Sequence, residues 1–376
     1  MADLTASASS TRSGYDAIID DARRNEDHMG KNIVILSDGT GQEGGKKEGK
    51  NSNVYQLFNM LEDRTDEQIV FYDPGLGTGF RKVTGNVGGM GISHNIKEAY
   101  AFLVEHFQAG DRIYLIGFSR GAATMRSLSS IIHHFGILPR SRPKLIDQAY
   151  NIYKERSDEP LDDRAEAFVK RHHTMWTRIR FLGCYDTVAA LGLPWARASA
   201  VLDRFSPFQH KFHDLKLSES VETAVQALAI DDERKTFHPV LWEPECMDHQ
   251  TVHQVWFTGM HTDVGGGYSE HGLSDISLNW LTDQAVECGI RIYSDHKVKI
   301  TEDATAKMHD SRGQGMKKLF RRKARSWDDE RSDTPIVHRS VEVRIDAGSS
   351  LPHNDEYQPW IVEVDHSTEP WSWATP

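Results

Sequence analysis

Hydrophobic residues in this chain gather in short unbroken runs, and each run ends at glycine, serine or aspartate. Asn32-Ile33-Val34-Ile35-Leu36 leads into Ser37-Asp38-Gly39-Thr40-Gly41, and Arg112-Ile113-Tyr114-Leu115-Ile116 leads into Gly117-Phe118-Ser119-Arg120-Gly121. Runs that are apolar on both faces are the pattern of central parallel strands, which have no solvent side. The same reading predicts strands over 68–72, 178–182 and 252–258. Helical spacing predicts helices over 54–61, 94–107, 122–134, 220–230 and 274–288. Strand and helix in this alternation predict an α/β fold with a mostly parallel central sheet covered by helices on both faces.

The remaining segments interrupt that pattern. Residues 1–30 are polar and rich in Ser, Asp and Arg, which predicts a loose N-terminal arm. Residues 75–91 hold seven glycines and read as a long loop. A charged, helical insertion is expected over 140–175, and irregular structure over 190–215. The stretch 300–335 is highly charged, with a basic cluster of Lys317, Lys318, Arg321, Arg322, Lys323 and Arg325 that reads as a solvated loop. No internal repeat is visible, so 31–376 reads as one domain with insertions.

Composition narrows the function. Lys and Arg total 44 against 55 Asp and Glu, a net charge of −11. So acidic a surface argues against nucleic-acid partners, which require a basic footprint, and disfavours tight docking on anionic membrane. Cys184, Cys246 and Cys288 are an odd set without CxxC spacing, which suits a reducing compartment and argues against disulfides or a zinc site. The N-terminus lacks a basic start followed by an apolar run, and no 18 apolar residues run together. The expectation is a chain made soluble in the cytoplasm, without integral membrane association. Any export would follow a route that reads no N-terminal signal. The sequence leaves homo-oligomerisation open.

The chemistry concentrates at strand ends. Gly117-Phe118-Ser119-Arg120-Gly121 is a Gly-x-Ser-x-Gly set directly between a buried strand and a helix. In such a nucleophile elbow the turn is too tight for a Cβ at Gly117 or Gly121, and it lifts the serine hydroxyl out at the carboxyl end of the sheet. A serine needs a base held by a carboxylate, and in α/β-hydrolases these follow in the order Ser, acid, His, at later strand ends. Asp186 and His261 occupy two such ends. Asp263 competes for the acid role, although its place before Gly265-Gly266-Gly267 suits it better to holding that loop by hydrogen bonds to glycine N–H groups. Backbone can approach a ligand closely at such glycines, Gly265 included. The oxyanion hole is expected from Arg120 N–H and from Gly39 or Thr40 N–H, with Asp38 supporting their loop.

The strings LSDGTG, NSNVYQLF, IYLIGFSRGAATMRSL, FLGCYDTVAALG, ALAIDDERKTFHP and VWFTGMHTDVGGGY resemble the catalytic domain of the class-one phospholipase effectors of bacterial type VI secretion. The likeness runs from about 31 to 290, with a weaker echo over 337–360. It implies an α/β-hydrolase-like fold, with nucleophile Ser119, acid Asp186 and base His261. The implied activity is phospholipase or broader carboxylic-ester hydrolysis of an ester or lipid substrate, without a cofactor or metal. Asp232, Glu233 and Arg234 keep the family's acidic-Glu-Arg pattern and read as a structural salt-bridge corner near the site.

Two other classes compete. A phosphate-handling enzyme would use Asp38, Asp186, His261 and Asp263 as hard oxygen and nitrogen ligands for Mg²⁺ or Ca²⁺, with the glycine-rich run after Asp263 as an anion nest. Against it, no second Asp stands two positions from Asp38, and no Gly-Lys-Ser/Thr phosphate loop occurs. A non-catalytic binding module on the hydrolase fold is the third class.

Overall fold

The computed structural model describes residues 30–370, apart from 40, 43, 46–48, 76–88, 156, 189–215, 311–320, 329–330 and 352–355. Its centre is an eight-stranded sheet in the order β2-β1-β3-β4-β5-β6-β7-β8, parallel throughout. The strands are β1 (Asn32–Ser37), β2 (Gln68–Asp73), β3 (Arg112–Phe118), β4 (Ile179–Tyr185), β5 (Val221–Ala229), β6 (Thr251–Phe257), β7 (Ile336–His338) and β8 (Ser367–Glu369). The helices are α1 (Asn53–Met60), α2 (Gly89–His106), α3 (Arg120–Phe135), α4 (Lys144–Lys154), α5 (Leu161–His172), α6 (His261–Gly265), α7 (Gly272–Glu287) and α8 (Arg339–Ala347).

Alternate residues of each central strand feed two cores. Ile33, Ile35, Ile113 and Leu115 pack with Ile96 and Leu103 of α2, Met125 and Leu128 of α3, and Leu145 and Phe168 of α4 and α5. Val34, Leu36, Tyr114 and Ile116 point the other way, onto Val54 and Leu57 of α1 and Leu278 and Leu281 of α7. Burial on both faces favours apolar residues at nearly every position, which is why the middles of these strands carry apolar runs. A third cluster, built from Trp256, Val337, Val341 and Ile361, covers the far side of β6 and β7. The chain therefore belongs to the α/β-hydrolase fold class, with helices on both faces of a parallel sheet.

One predicted element is overturned. The stretch 220–230 is strand β5 and not a helix, paired parallel with β4 on one side and β6 on the other. Its alanines favour helix in isolation, but the slot between two strands supplies every backbone partner, and tertiary context outweighs so small a propensity. Helix α2 begins at Gly89, five residues before the predicted start. The expected insertion contains α4 and α5. The N-terminal arm up to residue 29, the whole irregular segment 190–215, and most of the glycine-rich loop lie outside the described residues.

The basic run is corrected in part. Arg321 and Lys323 lie along the 233–235 backbone, through Lys235 N–H to Arg321 O (2.9 Å) and Lys323 N–H to Glu233 O (2.8 Å). The Arg325 side chain is 1% exposed, so this end of the run enters the core instead of forming a solvated loop. Lys317 and Lys318 are outside the described residues.

The chain runs from β1 through α1 to β2 on one face, then through α2 back across β1 to β3 on the other. The segments after adjacent strands β1 and β3 thus leave toward opposite faces. A crevice opens at the carboxyl ends of such a switch point, and ligands bind there in open α/β sheets.

Candidate active site

Ser119 sits at that switch point, between β3 and α3. Its backbone is at φ 59° and ψ −119°, a conformation that side chains rarely adopt, held by a hydrogen bond from Ser119 N–H to Tyr185 O (2.9 Å). The flanking glycines are obligatory. A Cβ on Gly117 would lie 2.5 Å from Gly121 C, and one on Gly121 would lie 2.1 Å from Ser37 O. Strand β3 therefore passes into α3 without a loop, and the turn presents the hydroxyl at the carboxyl end of the sheet.

Strand β4 delivers Asp186, itself at φ 43°, with its N–H bonded to Ala227 O at 2.8 Å. Strand β6 delivers His261 as the first residue of α6, and its backbone N–H donates to Asp232 Oδ2 at 3.2 Å. The three side chains meet although 142 positions separate Ser119 from His261 and 75 separate His261 from Asp186. His261 Nε2 is 2.8 Å from Ser119 Oγ, and His261 Nδ1 is 2.5 Å from Asp186 Oδ2. The imidazole lies between the rings of Phe118 (4.7 Å between centroids) and Phe237 (5.1 Å). Ser119 and His261 are 6% and 4% exposed, so the hydroxyl and its partner are both largely buried.

Electrostatics follow from that burial. Burial acts to raise the pKa of Asp186, but the Arg325 guanidinium reverses this with help from His261, and the carboxyl is held well below the usual carboxylate range. Burial pulls His261 below its ordinary value, opposed by its hydrogen bond to Asp186. The ring therefore stays neutral, able to accept a proton, at lower pH than an exposed histidine.

Arg325 is the member of this site that sequence reasoning missed. Its Nη1 and Nη2 reach Asp186 Oδ1 and Oδ2 at 2.6 Å and 2.7 Å. Nothing local marks it, because it closes a run of exposed-looking basic residues and meets Asp186 across 139 positions. Asp232 and Arg234 form the expected salt-bridge corner, with Arg234 Nη2 to Asp232 Oδ2 at 2.5 Å. Arg234 also lies over the Phe237 ring at 3.5 Å, so the corner supports one wall of the imidazole slot.

Asp263 faces away from the imidazole. Its oxygens accept from Met260 N–H (3.1 Å), from His309 N–H (3.0 Å) and from His309 Nδ1 (2.7 Å). It thus ties α6 to the 300–310 segment through Met260 and His309, in place of the glycine N–H groups that the sequence suggested. Gly265 packs under Phe118, where a Cβ would lie 2.0 Å from the ring.

At the end of β1, Asp38 is buried and accepts from Ser52 Oγ (2.5 Å), Tyr72 Oη (2.8 Å) and Gly39 N–H (2.6 Å). Burial pushes its carboxyl up to about 7, against the pull of those three donors. The Gly39 N–H is thus committed to Asp38, and Thr40 lies outside the described residues. Arg120 N–H, in the first turn of α3, has no intrahelical acceptor and faces the same end of the sheet.

The four residues of the metal reading do not converge. Asp186 and His261 bond each other, while Asp38 and Asp263 serve separate loops. Among the described residues, no group of three or more His, Cys, Asp or Glu is arranged to hold a metal ion. No helix among them is long and apolar enough to cross a membrane.

An uncharacterised protein from Saccharomyces cerevisiae is 32% identical over 215 residues, covering 50% of this chain and 31% of its own length. The crystal structure of an uncharacterised Pseudomonas aeruginosa protein shares the fold with a TM-score of 0.50 at 17% identity, over 77% of this chain and 51% of that one. The Tle1 effector bound to the VgrG spike of the type VI secretion system aligns with a TM-score of 0.37 at 20% identity, over 64% of this chain and 52% of that one. The chain thus spans about a third of the yeast relative and about half of each of these two structures. Residues 31–284 match the family described as T6SS, phospholipase effector Tle1-like, catalytic domain, and the chain belongs to that family.

Proposed function

We propose that the protein is a serine hydrolase that cleaves carboxylic esters of the lipase or phospholipase type, with Ser119 as nucleophile, His261 as general base and Asp186 as the acid that orients it. The observation that carries this reading is the 2.8 Å contact between Ser119 Oγ and His261 Nε2 at a strained strand-to-helix turn. Ser119 attacks the ester carbonyl carbon while Nε2 takes the hydroxyl proton. Nε2 then returns that proton to the departing alcohol, leaving an acyl-serine that water cleaves by the same route. Asp186 holds the tautomer with hydrogen on Nδ1 and stabilises the imidazolium that forms.

Arg120 N–H supplies one oxyanion donor and the β1 loop the other. Gly39 serves only by exchanging Asp38 for the oxyanion, so Thr40 is the simpler supplier. The family's description as a phospholipase effector supports a lipid ester as the substrate class.

A fluorophosphonate probe, followed by peptide mapping and a panel of p-nitrophenyl esters and phospholipids, tests the reading. Stoichiometric labelling of Ser119 with hydrolysis of at least one ester class is expected. Activity that survives complete labelling, or that chelation alone removes, would reject it.

The pH dependence carries a further expectation. Activity requires neutral His261, and burial disfavours its charged form, so activity persists to lower pH than an unperturbed histidine permits. The acid limb of kcat/KM should have its midpoint below the ordinary value of 6.5. A midpoint above that value would mean that another group controls the rate.

A further inference from the structure

The Asp186 carboxylate has no unused acceptor. Oδ1 receives Ala229 N–H (3.0 Å) and Arg325 Nη1 (2.6 Å), and Oδ2 receives His261 Nδ1 (2.5 Å) and Arg325 Nη2 (2.7 Å). Arg325 is anchored in turn, with Nη1 donating to Ala229 O (2.5 Å) and Nη2 to Phe237 O (2.6 Å). Phe237 is the ring that walls the imidazole, so one guanidinium ties the acid to the slot that holds the base. The planar fork spans both oxygens and prevents the carboxylate from turning about its Cβ–Cγ bond. Arg325 comes from beyond the family-matched segment, which ends at 284.

We propose that Arg325 is a positioning residue of the hydrolytic site: its fork locks the Asp186 carboxylate in the one rotation that presents Oδ2 to His261 Nδ1. The proposal rests on the assignment of Ser119, His261 and Asp186 made above. Arg325 also compensates the charge of Asp186 behind the imidazole. On His261 itself, Asp186 and Asp232 favour protonation and Arg234 opposes it. Without the guanidinium, Asp186 would face the ring with its charge uncompensated and would hold the proton on His261 more tightly.

The test compares R325M, R325K and wild type, with kcat expressed per site titrated by the fluorophosphonate and kcat/KM followed across pH. In R325M, kcat should fall by roughly 10- to 100-fold, as expected for a misaligned catalytic group, with KM little changed, and the acid limb should move to higher pH. R325K keeps a charge but cannot span both oxygens, so it should lose kcat while its acid limb stays near that of wild type. In a D186N background, R325M should cost little further kcat, because the two residues act through one contact. A scaffold role alone would lower the number of titrated sites without changing per-site kcat or the acid limb, and that result would overturn the proposal. Should R325M fail to fold, wild-type kcat per site in R325K would overturn it equally. Absence of Ser119 labelling in wild type would instead overturn the parent assignment, and this proposal with it.

Discussion

Replacing Ser119 with alanine is expected to lower kcat by roughly four to six orders of magnitude while the protein stays folded. The size of the loss follows from the role. Oγ is the atom that would form the acyl bond, and His261 Nε2 has no substitute nucleophile within reach in the described site. Stability should barely change. The Ser119 side chain makes no helix cap, its hydroxyl bonds His261, and alanine meets the same backbone strain at φ 59° as serine does. The change in unfolding free energy should stay within about 1 kcal/mol. Ester turnover and circular dichroism on one preparation decide the matter. A folded S119A protein that keeps a tenth of its activity would remove Ser119 from the chemistry.

The second large effect is expected at Asp186. Asn keeps the shape but places N–H hydrogens where Arg325 and His261 already donate. The imidazole then loses the acceptor that fixes its tautomer, and kcat should drop by about 10⁴. Here stability changes too. Arg325 would lose the carboxylate that its fork grips and keep only the charges of Asp232 and Asp231 near it, at a cost of up to about 3–5 kcal/mol, so thermal unfolding of D186N should begin well below that of wild type. Asp263 is the contrasting case. D263N disturbs the tie between α6 and His309 but touches no group on the imidazole, so it should cost far less kcat than D186N. Paired kinetics of the two variants would reverse their assignment if D263N proved the more damaging.

Much of the site was legible because its members sit where local rules speak. A buried run followed by Gly-x-Ser-x-Gly admits few structures, since the clashes at Gly117 and Gly121 involve backbone atoms a few residues away or on the adjacent strand. Asp186 and His261 were readable as strand ends, because apolar runs mark strands and a parallel sheet gathers its carboxyl ends on one edge. The misread helix at 220–230 shows the limit of this reasoning. Its alanines are ambiguous until β4 and β6 flank them, and only that slot turns the segment into a strand.

What the sequence determined by itself was the alternation of strands and helices, the strained turn at Ser119, and the order of Ser119, Asp186 and His261 at successive strand ends. Only the tertiary structure decided that Asp186 and not Asp263 faces His261, that Asp38 engages Gly39 N–H, and that Arg325 leaves a charged run to be buried against Asp186. The reason is physical. Strand burial and tight turns are settled by neighbours along the chain or one strand away, whereas an ion pair spanning 139 positions depends on how the whole sheet is assembled.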